Sequence, residues 1–119
     1  MSASELPQIT DDDMHRMMAA AQPYTVVVFH RGPHYRDEGA RAIIWEHGRR
    51  NFALRAAGKL AVVCPIPDES ELAGIGVFAA NLAETEALMA DDPAVQAGVL
   101  VSEAHAGRSF AGDALPAWG

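Results

Sequence analysis

Apolar and polar positions recur along this chain in two periods, and the switches between them mark its elements. Met14, Met17, Met18 and Ala21 fall at helical spacing behind Thr10 and three aspartates. That predicts a short amphipathic helix, capped by the threonine and ended by Pro23. Its methionines read as a packing stripe, because flexible thioethers fill irregular gaps. Tyr24–His30 (Y-T-V-V-V-F-H) is β-branched and aromatic and predicts a buried strand, with Gly32 and Pro33 opening a loop behind it. From Ile43 to Leu60, Ala, Leu, Arg and Glu dominate, which predicts a helix. Gly58 stands where a left-handed residue would cap it, with Arg55 and Lys59 complementing the negative end. At 100° per residue, Ile44, His47, Asn51 and Leu54 share one face, and Trp45, Gly48, Phe52 and Ala56 share a second. The first face is expected on the chain's own sheet and the second under other protein.

Leu60–Cys64 reads as a second strand, and the segment opened by Gly74 as a third, its glycines permitting a bulge or a close backbone approach. The two are near enough in sequence to form an antiparallel hairpin. Asn81 caps a second core helix carrying Leu82, Leu88 and Met89 with Ala83 and Ala87, and Glu84 holds the capping-box position. Asp92 before Pro93 starts a further helical turn that Gly98 closes. Val99–Ala106 alternates as a strand with one buried face, and the rest is a tail bearing Phe110, Leu115 and Trp118. Each of those side chains gains about 1.5–3 kcal/mol by leaving water, so the tail is expected to lie across a surface, its own or a partner's.

The resulting order, βαββαβ with an extra N-terminal helix and an extended C-terminal tail, is an α+β, ferredoxin-like pattern with both main helices on one sheet face. The expected divisions are an arm and short helix at 1–22, the ferredoxin-like domain at 23–106 and the tail at 107–119. The other sheet face is too apolar to meet water, which implies a homodimer or higher homo-oligomer with the N-terminal helix or tail reaching across the boundary.

Charge and composition narrow the partners. At 119 residues and a formal net charge of −7, the chain is poorly suited to a phosphate backbone, so no nucleic acid is expected. No run approaches the apolar length of a membrane span, and the N-terminus lacks the basic and apolar regions of a signal peptide. The one cysteine, Cys64, cannot form an internal disulfide, so a cytoplasmic address follows and Cys64 reads as a small packing residue. His15, His30, His34 and His105 lack structural-zinc spacing, and no glycine-rich phosphate loop opens a helix, so neither metal nor cofactor is expected.

Two places carry candidate chemistry. The loop R-G-P-H-Y-R-D brings Arg31, His34, Tyr35 and Arg36 together at a strand's carboxyl end, where they could bind an anion or simply be solvated. His47 lies inside the first helical stripe, where it is either a satisfied core residue or an acid–base group. A carboxylate beside such a histidine would fix its tautomer and stabilise its charged form, while burial would oppose that charge.

Glu46–His47, A-G-K-L at Ala57–Leu60, Cys64–Pro65, Gly74 and D-P-A-V-Q-A-G at Asp92–Gly98 together resemble the YCII-related family of dimeric α+β barrel proteins. The resemblance spans roughly Tyr24 to Ala106. It implies a His–Asp dyad formed by His47 and Asp92 in a cleft between helix and sheet, and a fold similar to muconolactone isomerase. The function expected is a cofactor-free isomerase or lyase, lactone-isomerising or dehalogenating, acting on a small anionic compound. His47 would move the proton, Asp92 would orient it, and Arg31, Tyr35 and Arg50 would bind substrate. The alternative is a metabolite-binding or accessory protein using the same cleft.

Overall fold

The computed structural model describes residues 5–119, so the first part of the expected N-terminal arm lies outside the described residues. The chain divides into two compact units, Pro23–Arg108 and a smaller one of Met1–Gln22 with Ser109–Gly119.

The smaller unit holds α1 (Asp11–Ala19). Thr10 Oγ1 accepts the Asp13 N–H and Asp13 Oδ2 accepts the Thr10 N–H, each at 3.1 Å, closing a reciprocal cap. The methionine stripe has no packing surface in the single chain. No residue of α1 is buried, and Met14, Met17 and Met18 are all exposed. The helix also stops before Ala21, which belongs to the following strand. In the tail, Gly112 turns the chain at φ +96°, and Leu115 and Trp118 are exposed in the single chain.

The larger unit holds most of β1 (Ala21–Arg31), all of α2 (Ala40–Ala56), β2 (Leu60–Pro65), β3 (Leu72–Phe78), α3 (Leu82–Ala90) and α4 (Pro93–Gln96), and most of β4 (Leu100–Phe110). The strands form a four-stranded antiparallel open sheet in the order β2-β3-β1-β4, an α+β arrangement compatible with the ferredoxin-like pattern. β2 and β3 make the expected antiparallel hairpin, and β1 pairs antiparallel with β3. β4 runs on through Gly107–Phe110, residues the sequence pattern assigns to the tail.

Alternation sets the core. Thr25, Val27 and Phe29 are buried on one face of β1, where Val27 pairs with Gly76 and Phe29 with Gly74 across to β3. Ala40 of α2, Met89 of α3 and Ala94 of α4 close over this face together with Leu60, Phe78, Val99 and Leu100. On α3 it is Thr85 and Met89 that are buried, while Leu82 remains exposed. The opposite sheet face carries Val26, Val28, Ile75 and Val77, half-buried, and Val101, 48% exposed.

α2 starts without a side-chain cap, on Gly39 at φ +89°, and closes through Ala57 and a left-handed Gly58 at φ +78°. Its first stripe faces inward: His47 and Asn51 are buried, and Ile44 and Leu54 pack against the core. Its second stripe is bare in the single chain, with Trp45 70% and Phe52 52% exposed. No helix among the described residues is long and apolar enough to cross a membrane.

Candidate functional site

The start of α4 and one sheet floor converge beneath α2. Asp92 caps α4, its Oδ1 accepting the N–H groups of Ala94 at 2.8 Å and Val95 at 3.3 Å. Pro93 follows at the first helical position, where its missing N–H costs nothing. The same carboxylate turns its other oxygen toward α2, and His47 Nδ1–H donates to Oδ2 at 2.7 Å. Asp92 is wholly buried and His47 is only 9% exposed. Burial pushes the Asp92 carboxyl up. The His47 hydrogen bond and charge, followed by the two helix N–H groups, outweigh it and hold the group below the usual carboxylate range. An ionised Asp92 keeps the proton of neutral His47 on Nδ1 and leaves Nε2 as the nitrogen that can gain or lose one.

His47 meets two further side chains, and Asp92 a third. The Phe29 ring meets it edge to face at 5.0 Å between centroids. Asn51, one turn along α2, places Nδ2 3.1 Å from Nε2. Arg50 Nη1 lies 3.7 Å from Asp92 Oδ2, adding positive charge beside the carboxylate.

A cavity of about 180 Å³ opens beside this group, between α2 and the sheet. Gly74 and Gly76 make its floor. Both occupy positions of β3 that face the helices, and without side chains they let neighbouring groups approach the strand closely, Phe78 and Leu60 over Gly76 and the Cys64 carbonyl beside Gly74. Phe29, Tyr35, Ile44, Phe52 and Val63 supply most of the wall, and His47 and Asn51 its polar part.

The residues expected to bind substrate are only partly gathered. Tyr35 lines the cavity. Arg31 does not: its Nη2 donates to the Asp68 carbonyl at 2.5 Å, and its guanidinium stacks on Tyr35 at 5.1 Å. Arg50 faces Asp92 instead of the cavity, whose lining includes no lysine or arginine. The loop cluster does not converge on one point either, since His34 pairs with Asp37 at 2.7 Å. Cys64 is exposed and borders the cavity, so it does not pack as a buried apolar residue.

Three contributors escape sequence reasoning. Asn51 shares the His47 stripe, and its spacing of four is the signal that could have flagged a direct contact. The cavity floor could have been read from glycines at alternate positions of one strand, both on the helix side. Phe29 looks like any core aromatic until the fold sets it against the imidazole. Among the described residues, no cluster of three or more His, Cys, Asp or Glu side chains could hold a metal ion.

No protein-family model matches the chain, and no curated protein matches it significantly.

Proposed function

We propose that the chain is a small-molecule enzyme that moves a proton at His47 Nε2, an isomerase or lyase needing no cofactor for that step. The observation that carries this reading is the buried His47–Asp92 pair, 2.7 Å apart, with His47 at the wall of a small cavity. Asp92 sets the tautomer and stabilises the imidazolium once the proton arrives, which is how a carboxylate supports a histidine base. The proton would come from a C–H or O–H of the substrate. Its return to another carbon gives isomerisation, and departure of a leaving group in its place gives elimination.

The lining favours an uncharged ligand. An apolar wall with no internal cation would strand a carboxylate, at a cost of several kcal/mol. A cavity of about 150 Å³ is known to take benzene, so about 180 Å³ suits one ring with one or two small substituents. On this reading a neutral cyclic ketone, lactone or phenol is favoured over the anionic substrate expected from sequence. We place the chain with the YCII-related, dimeric α+β barrel proteins on the motif order, and the partly exposed apolar face of the sheet supports pairing of two sheets in that manner.

A non-catalytic, metabolite-holding role has one observation in its favour: both imidazole nitrogens already have partners, Asp92 and Asn51. Incubation of cyclic enones, unsaturated lactones and halogenated hydroquinones in deuterated water separates the two. Deuterium entering the ligand with the intact chain, and not with His47→Gln, is the enzymatic outcome. Binding by thermal shift with no exchange and no product would establish the holding role.

A further inference from the structure

Asn51 is buried, with 6% of its surface exposed, yet its Oδ1 has no hydrogen-bond partner. A buried amide oxygen left unpaired costs about 1–3 kcal/mol, so its retention in a core calls for an explanation. Its other end supplies one. Nδ2 stands 3.1 Å from His47 Nε2, where it donates to the lone pair of the neutral ring. Asp92, buried and ionised, holds the Nδ1 proton, so any change of protonation at His47 takes place at the nitrogen Asn51 faces.

When Nε2 gains a proton, the present arrangement sets N–H against N–H. A half-turn about the last side-chain bond removes that conflict. It exchanges Oδ1 and Nδ2, so that Oδ1 accepts the new Nε2–H. A primary amide is suited to this, because its two ends have nearly the same shape and opposite hydrogen-bonding character. An aspartate here would match only the charged ring, and a leucine neither form. The unpaired Oδ1 fits the same account: whichever amide end faces away from the ring lacks a protein partner, so neither orientation is locked.

We propose that Asn51 is a positioning residue that follows the protonation state of His47, donating to Nε2 when the ring is neutral and accepting from it when charged. Its regulation of the site has two consequences. The amide keeps the imidazole plane fixed between proton uptake and release, and it occupies Nε2 until a ligand displaces it. The inference rests on the proton-transfer reading for its purpose, but its geometry can be tested without any ligand.

Among the described residues, other charged and titratable groups stand near the ring. Asp92 lies on Nδ1 and Arg50 behind Asp92, while Tyr35 and Cys64 line the cavity; Phe29 is the sheet's contribution. A charge-assisted bond is roughly twice as strong as a neutral one, so Asn51 favours the protonated ring on balance.

The test is an NMR titration of the ligand-free chain, following the His47 ring nitrogens and the Asn51 side-chain amide. In the neutral state the ring should carry its proton on Nδ1. On acidification the Asn51 NH₂ signals should move with the same midpoint as His47. Asn51→Leu should weaken the proton affinity of His47 about fivefold, and Asn51→Asp should strengthen it. A ring protonated on Nε2 in its neutral state, amide signals indifferent to the His47 midpoint, or a midpoint unchanged in Asn51→Leu would each overturn the proposal. A folded Asn51→Asp chain with a raised midpoint keeps the test decisive if the leucine variant does not fold. Failure of the deuterium-exchange screen with this titration intact would remove the enzyme reading and leave the Asn51 assignment standing.

Discussion

Asp92 divides its carboxylate between two tasks: Oδ1 starts α4 and Oδ2 anchors the imidazole of His47. One buried side chain therefore links a local helix cap to a tertiary contact with a residue 45 positions away in sequence.

The two tasks can be separated by substitution. Asp92→Ala removes the cap, worth about 1 kcal/mol, and also leaves His47 Nδ1–H unpaired in a buried position. A total loss of about 2–4 kcal/mol is expected. Asp92→Asn keeps an oxygen for the cap and should lose less stability while still abolishing proton transfer. Urea unfolding of both variants, beside the deuterium-exchange assay, checks the order.

Acid should weaken the fold through the same residue. The Asp92 pKa is lowered in the folded chain, so its contribution to stability is fully present above the ordinary aspartate range. It is lost as pH falls through the depressed folded value. Asp13, Asp68 and Glu103 are shifted the same way by hydrogen bonds, but at the exposed surface. Melting temperature should therefore hold near neutrality and fall below about pH 4, and Asp92→Asn should flatten that fall. An equal acid dependence in both chains would assign it elsewhere.

Filling the cavity floor should cost both stability and binding. A Cβ on Gly76 would sit 3.1 Å from Phe78 Cε2 and 3.2 Å from Leu60 Cδ1, closer than comfortable packing allows. Gly76→Ala is expected to destabilise by about 1–3 kcal/mol, the usual range for overpacking. It should also weaken any ring-shaped ligand found in the screen, as measured by calorimetry.

Gly32→Ala should be the more damaging of the two glycine changes. Its Cβ would fall 2.3 Å from the Gly98 carbonyl oxygen, where the loop after β1 crosses the backbone behind α4. Both segments hold their hydrogen bonds at that crossing, Gly32 N–H to Val99 O at 2.8 Å and His34 N–H to Gly98 O at 3.0 Å. Relief requires backbone movement, and a loss above about 2 kcal/mol in urea unfolding is expected.

Pairing of two sheets predicts that Val101→Lys, on the face turned from the helices, weakens association. Melting of the unsubstituted chain should rise with protomer concentration. A monomer in sedimentation with concentration-independent melting would count against the pairing.

Much of this architecture was legible locally. Thr10, Asn81 and Asp92 announce helix starts because a short polar side chain satisfies free N–H groups within its own turn. The alternation through Thr25, Val27 and Phe29 marks the buried face of β1 because strand side chains point to opposite sides. The helical stripe placed His47 and Asn51 inward for the equivalent reason. What tertiary structure decided depends on contacts between distant segments. Helical spacing suggested a methionine packing stripe on α1, but packing needs an opposing surface, and the single chain leaves Met14, Met17 and Met18 exposed. Arg31 and Arg50 were near the candidate site in sequence, yet the Asp68 carbonyl and the Asp92 carboxylate draw them to other partners. The cavity exists only because β3 runs beneath α2, so it belongs to the packing and is absent from local periodicity.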